Sequence, residues 1–436
     1  MDDIRLPSFT LRYHSSDVTA LQFIDLRPDR AVPGLLSGDA SGQIALWDVI
    51  IRRPLMTQAI EGSSEIVSIQ VIDDNLIAIL SKDHKMRIFR LLKATTSIIR
   101  PQQGSPKQSS NYELQECYHI PINTLNFANF LVRKLGDSFY RLICCNTQNS
   151  ESIDIYTFHL SDLHSLCRIH KGINFYDHVK PLAANFDSSK VNKLGIVMKF
   201  AQRDEITYCG FESGYIIGFR LCENSDPKNR NENIHGYVAN TIEVVYVSAV
   251  HYPNPVLDLY AGKHAVLSSS VDDVIGIHQI DVDFKRQQKD RYLSEMNESV
   301  VCREDLVLKG DVSRKVPLSQ VGHVIEIEDY LILASWSGNT IVVDSTGMVH
   351  MKFLKSKSNV LVNESPQGSL QEDNQLHKKQ SSCIKVCSIA GISKCHLAED
   401  LSTILSLGQR RRIKHFTSAC WCLIGYADGS IAVQHL

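Results

Sequence analysis

The densest group of side chains able to hold a metal is Cys383-x3-Cys387-x7-Cys395-His396, with Cys420 and Cys422 further along the chain. Zinc sites are usually built from two close Cys or His pairs of similar kind. Here Cys383 and Cys387 stand four residues apart around an alternating stretch, Ile384-Lys385-Val386-Cys387-Ser388-Ile389. An extended backbone turns both to one face, which is what a core requires, so they read as core cysteines. Covalent catalysis would need an activated serine or cysteine, yet there is no G-x-S-x-G. Phosphate chemistry would need a glycine-rich loop leading into Lys-Ser/Thr, and that is missing too. The chain reads as a non-enzyme without cofactor or small-molecule substrate.

The strongest charge run is Gln409-Arg410-Arg411-Arg412-Ile413-Lys414-His415. Arg410, Arg411, Arg412 and Lys414 could meet phosphates, an acidic partner surface or an import receptor; the plainer reading is a solvated loop. With 46 basic and 48 acidic side chains the formal net charge is −2, so no global field draws the chain to nucleic acid or an anionic membrane. Direct nucleic-acid binding is not expected from one short patch. The first eleven residues lack the apolar core of a secretory signal, and no stretch approaches the ~20 apolar residues that span a bilayer. A folded, membrane-free, intracellular protein is the expectation, and hydrophobic residues at 43% with most of the 12 cysteines inside apolar runs agree with it.

A degraded repeat organises these residues. Its clearest copy is Leu35-Leu36-Ser37-Gly38-Asp39-Ala40-Ser41-Gly42-Gln43-Ile44-Ala45-Leu46-Trp47-Asp48, a strand, a polar turn and a second strand closing on Trp-Asp. The alternating run Val18–Ile24 precedes it, and His14 precedes that, the interval of one WD40 unit. Six weaker copies follow, aligning Phe89, Tyr156, Phe219, His278, Val343 and Gln434 with Trp47. The prediction is an all-β, seven-bladed WD40-type β-propeller, with blades at about 15–62, 64–119, 120–173, 190–247, 253–308, 322–354 and 383–436. The seventh copy lacks an outer strand, and residues 9–14 form a short alternating strand that can supply it and close the ring.

In WD40 units the positions of His14, Ser37 and Trp47 form a buried hydrogen-bond chain with a turn Asp six residues before Trp. Here that place holds Ser41, so blade 1 reads as lacking its Asp, while Asp83, Asp272 and Asp428 supply one in other blades without a matching Trp. Gly322-His323 reads as the Gly-His pair that opens the sixth copy. His14, Ser37, Trp47, Asp48, Asp83, Asp272, His323 and Asp428 are accordingly structural blade positions rather than catalytic ones. Segments 94–110, 222–235 and 355–382 are polar insertions too poor in apolar residues to offset their ordering entropy. Residues 283–297 could hold a short polar helix.

The chain resembles the fungal ASTRA-associated protein 1 family, related to G-protein β-subunit-like WD-repeat proteins. The resemblance rests on Thr10-Leu11-Arg12-Tyr13-His14 with Val18–Leu21, on Leu36–Asp39 through Trp47-Asp48, and on Trp421-Cys422-Leu423-Ile424-Gly425-Tyr426-Ala427-Asp428-Gly429-Ser430-Ile431. It implies a scaffold subunit of a nuclear ASTRA-type complex, with the cytoplasm as a second location, linked to chromatin remodelling and to chaperone-assisted maturation of phosphatidylinositol-3-kinase-like kinases. Partners implied are other subunits of that complex and such a kinase. The competing expectation is a WD-repeat adaptor in another assembly, for ribosome maturation or ubiquitin-ligase substrate capture.

Overall fold

Runs that are apolar at every position, such as Leu142-Ile143-Cys144-Cys145 and Trp421-Cys422-Leu423, become strands buried on both faces. A strand can be buried on both faces only if its sheet is packed between two others. The computed structural model describes residues 4–27, 30, 32–62, 64–94, 111–179, 193–223, 240–280, 300–302, 312–344, 346–356, 383–394 and 406–436. Across these residues, seven mainly antiparallel sheets stand in a ring.

The chain enters on Phe9–Arg12 (β1). Blade 1 is Val18–Ile24, Gly34–Asp39, Gln43–Asp48 and Arg53–Ala59 (β2–β5). Blade 2 is Ile66–Asp73, Leu76–Ser81, Lys85–Lys93 and Tyr112–Pro121 (β6–β9), and blade 3 is Leu131–Gly136, Phe139–Cys145, Ile153–His159 and Asp162–Ile173 (β10–β13). A short helix, Phe175–Val179 (α1), leads toward blade 4, which begins Val197–Arg203, Ile206–Phe211, Ile216–Glu223 and Asn240–Ser248 (β14–β17). Blade 5 opens with Asp258–Ala261, Val266–Ser269 and Val274–His278 (β18–β20).

Two further strands correct the expected boundaries. Val300–Cys302 (β21), assigned by its position in the sequence to blade 5, instead adds a fifth, parallel strand to blade 4, pairing Ile242 with Val300. The outer strand of blade 5 is Val312–Lys315 (β22), beyond the predicted limit at 308. Blade 6 is Val321–Ile327, Tyr330–Ser335, Asn339–Val343 and Val349–Leu354 (β23–β26). Blade 7 is Val386–Ile392, then helix Leu407–Thr417 (α2), then Trp421–Tyr426 and Ser430–His435 (β27–β29).

Blade 7 is completed by β1, which lies antiparallel to β29 with Phe9 opposite Val433 and Arg12 opposite Ser430. Leu11, 1% exposed, is the inward side chain of this strand. The predicted closure is what the structure shows. Among the described residues the core is divided into seven apolar clusters, one in each gap between neighbouring blades. The gap between blades 7 and 1 is filled by Leu11, Val18, Trp47, Trp421 and Val433, so the seam is packed like the other joints.

Trp47 and the six residues aligned with it lie on the third strand of their blades, paired across to the second: Leu35 with Trp47, Ile77 with Phe89 and Val266 with His278 are examples. Of the expected insertions 94–110, 222–235 and 355–382, residues 95–110, 224–235 and 357–382 lie outside the described residues, as do the candidate helix at 283–297 and the pair Cys395-His396; Cys222 and Glu223 instead close β16. Among the described residues, no helix is long and apolar enough to cross a membrane.

Candidate functional site: polar chains in the blades and the loop faces

Polar side chains buried between sheets must be paired, and blade 1 shows how. Trp47 Nε1–H donates to Ser37 Oγ at 2.8 Å, Ser37 Oγ lies 2.7 Å from His14 Nε2, and His14 Nδ1 lies 2.8 Å from Asp39 Oδ2. The chain therefore does have its Asp, which corrects the expectation. Asp39, at the end of β3, reaches the histidine from two residues before the turn position, and Ser41 hydrogen-bonds to the other carboxylate oxygen. Burial pushes the Asp39 carboxyl up, but hydrogen bonds from His14, Ser41 and the Gln43 N–H outweigh it and hold it below its ordinary value. Asp48 accepts the N–H groups of Ile50 and Ile51 and pairs with Arg30 at 2.7 Å, fixing the turn after Trp47.

Blade 5 carries a second chain, of which the repeat pattern marks only Asp272 and His278. His251 Nδ1 lies 3.1 Å from Asp272, His251 Nε2 lies 2.8 Å from Ser268 Oγ, and Ser268 Oγ lies 2.7 Å from His278 Nε2. His278 thus stands in for tryptophan, and Tyr246 OH, 2.8 Å from its Nδ1, occupies the nitrogen that an indole lacks. Ser268 precedes His278 by the same ten residues that separate Ser37 from Trp47, which was the available signal. His251 escaped because it precedes Ser268 by 17 residues, whereas His14 precedes Ser37 by 23. Ser268, His251 and Asp272 have the order of a serine-hydrolase triad, but Ser268 is 0% exposed and its hydroxyl is committed to two imidazoles.

Other blades keep the Asp and change the cation. In blade 2, Arg87 pairs with Asp83 and donates to Ser81 Oγ at 2.9 Å. In blade 7, Lys355 Nζ meets Asp428 Oδ2 at 2.5 Å and lies 4.9 Å from the centre of the Tyr426 ring. Lys355 is therefore part of the frame rather than of a polar insertion. Ser356 and Cys383 form a bridge just beyond it, and Ile384 N–H donates to Lys355 O at 2.8 Å. In blade 3, buried Asp154 accepts from Asn146 Nδ2 and Gly172 N–H at 2.8 Å and from Tyr156 OH at 3.2 Å.

His323 is the clearest displacement. It opens no such chain; it pairs opposite Ala334 on β23, the innermost strand of blade 6, and faces the central channel with Lys199 and Asp258. A Gly-His pair specifies the opening position only when it precedes the first strand, and Val321 already begins it. Burial, then the cations Lys199 and Lys385, push the His323 imidazole down to about 3. Innermost strands from all seven blades line this channel, of about 370 Å3.

Cys387 is half-buried, with Sγ 3.7 Å from Asp17 Oδ2, while the buried face of β27 carries Val386, Ser388 and Ala390. Its placement corrects the one-face reading, because Cys383 lies ahead of the strand rather than on it. No disulfide joins two cysteines of the described residues, and no three His, Cys, Asp or Glu side chains among those residues gather into a metal-binding group.

Strand alternation assigns the loops to two faces. The loops between blades and the turns between second and third strands share one face. There a segment at 123–129 is fixed by its own side chains: Asn123 donates to Asn146 O, Asn126 to Ser150 O and Val197 O, and Asn129 to Phe200 O, all near 3.0 Å. Between these anchors Leu125 and Phe127 face solvent, 76% and 68% exposed. The opposite face carries α2.

Residues 407–417 are helical, which replaces the predicted loop. Ser406 and Gln409 form a reciprocal capping box at its start. Phe416 stacks on Trp421 at 5.2 Å, while Arg410, Arg411, Arg412 and Lys414 are all exposed.

The sequence model of the ASTRA-associated protein 1 family matches residues 7–434. A protein of that name from Zygosaccharomyces rouxii is 46% identical with both chains covered in full, and one from Saccharomyces cerevisiae is 35% identical over 99% of this chain and 97% of its own. The crystal structure of Saccharomyces cerevisiae Sqt1 covers both chains in full at a TM-score of 0.50 and 10% identity, a likeness of fold alone. Matched along nearly its whole length, this chain belongs to the ASTRA-associated protein 1 family.

Proposed function

We propose that this protein is a non-catalytic scaffold subunit of a nuclear ASTRA-type complex, serving chromatin remodelling and the chaperone-assisted maturation of phosphatidylinositol-3-kinase-like kinases. The observation that carries the reading is the full-length match to proteins named for association with ASTRA. The architecture supports it. The polar groups of blades 1 and 5 with the chemistry of a catalytic set are sealed inside the frame. What the ring offers outward is two faces of loops held on rigid strands, suited to gripping several proteins at once.

Affinity purification of the tagged protein at its native level, followed by mass spectrometry, tests this. Recovery of ASTRA subunits together with a kinase of that class is the expected outcome. Recovery of ribosome-maturation factors or a ubiquitin ligase in their place overturns it. Imaging of the tagged protein tests the nuclear assignment, which fails if the protein is excluded from nuclei.

A further inference from the structure

α2 joins the first two strands of blade 7, and the turn Val49–Arg52 joins the last two of blade 1. Alternation of strand direction places both on the same face of the ring. They share one apolar cluster, where Ile50 and Ile413 pack with Phe416 and Trp421. A row of rings carries the contact outward: the Arg52 guanidinium lies 4.2 Å from the centre of Phe9, Phe9 lies 6.2 Å from Trp421, and Trp421 packs on Phe416.

Cations accumulate around this row. Arg411, Arg412 and Lys414 on the helix, and Arg52 and Arg53 at the turn, are all exposed, and none makes an ion pair with another described residue. The helix contains no acidic residue, not even in its first turn, where the helix dipole would favour one. In a chain whose net charge is −2, this is a local concentration of cations left without ion-pair partners among the described residues. Two exposed aliphatic side chains lie within it: Leu407 at the start of the helix, 66% exposed, and Ile51 beside Arg52, 44% exposed.

We propose that α2 and the Val49–Arg52 turn with Arg53 form a docking surface for an acidic protein segment that also carries aliphatic or aromatic side chains. The cations steer and register the carboxylates, and Leu407 and Ile51 take the apolar side chains. A duplex would use the charges but leave those aliphatic groups without a partner, and the few phosphate contacts available here make it the weaker fit. The helix also bears on the import reading, because its capping box holds Arg410–Lys414 wound rather than extended. This surface is independent of which complex the protein joins.

The test uses the full-length protein and fluorescence anisotropy of a short peptide in which Asp and Glu alternate with Leu and Phe. A polyglutamate of equal charge and a short DNA duplex serve as comparisons. Combined Arg411→Glu, Arg412→Glu and Lys414→Glu should weaken the mixed peptide about tenfold or more, with an unchanged melting temperature. Arg53→Glu, on the neighbouring blade, should weaken it less. Leu407→Ser should weaken the mixed peptide but not polyglutamate. The proposal is overturned if the wild-type protein binds no peptide, if the triple reversal binds it equally well, or if the duplex binds more tightly and loses that advantage on reversal.

Discussion

A neutral His251 that donates Nδ1–H to Asp272 has only its Nε2 lone pair left for Ser268, so the serine must donate there and accept from His278 Nε2–H. Nδ1 of His278 then accepts from Tyr246 OH, and each proton in blade 5 points toward the carboxylate. Burial pushes the His278 imidazole down to about 3 from its ordinary 6.5. Protons therefore bind the unfolded chain first. The stability from His278 is full above pH 6.5 and is lost as pH falls from there toward 3, at about 1.4 kcal/mol per pH unit. His278→Phe should cost roughly 1–3 kcal/mol at neutral pH, by taking the acceptor from Tyr246 OH and the donor from the Ser268 oxygen, and should remove that portion of the pH slope. Urea midpoints measured across the range check both, and an unchanged slope refutes the assignment. A second acid branch belongs to Asp39, Asp83, Asp272 and Asp428. Burial raises each carboxyl, but bonds from His14, Arg87, His251 and Lys355 hold all four below 3.8, so their contribution disappears only below that value. At this scale the sequence was half legible. Types and ten-residue spacings could be read, but reach could not: Asp39 works from a strand end, and Lys355 from the far side of a long insertion.

At the scale of single elements, β1 contributes one edge of four residues but closes the ring. Deleting residues 1–14 removes Leu11 from the cluster between blades 7 and 1, exposes the β29 edge and takes His14 from Asp39. A large fall in melting temperature is expected, with partial rescue by the missing segment added as a peptide; an unchanged transition would refute the closure as a stability element. A gentler probe is Gly429→Ala. Gly429 has φ +76°, and a Cβ there would collide with the backbone carbonyl of His14, so it should strain the same seam without removing any contact. The N-terminal strand was readable because its alternation is local. The outer strands of blades 4 and 5 were not, because β21 and β22 are separated from their partners by long segments, and pairing across such gaps leaves no periodicity in the sequence. α2 was also missed: its stretch is so charged that only the capping pair Ser406 and Gln409 marks it as a helix.

For the molecule as a whole, seven similar joints share the load, so damage depends on whether a side chain belongs to a joint or hangs outside it. Lys355 and the segment after it make the contrast testable. Lys355→Met leaves the partly buried Asp428 carboxylate without its cation and should lower stability by roughly 1–3 kcal/mol. Replacing 357–382 with a short Gly-Ser link between Ser356 and Cys383, already bridged to each other, should leave the melting temperature nearly unchanged. If the two variants behave alike, the division between frame and insertion is wrong.

The pairing of Phe9 with Val433 also sets a schedule for biosynthesis. During translation β1 emerges first, but its partner strand is made roughly four hundred residues later; at about 5–20 residues per second, that is a wait on the order of 20–85 s. Through that interval the nascent chain holds β1 as an unpaired, half-apolar strand beside a growing arc of blades with an open flank. The same seam that makes the finished ring rigid makes the unfinished one a client for whatever shields exposed strands beside the ribosome.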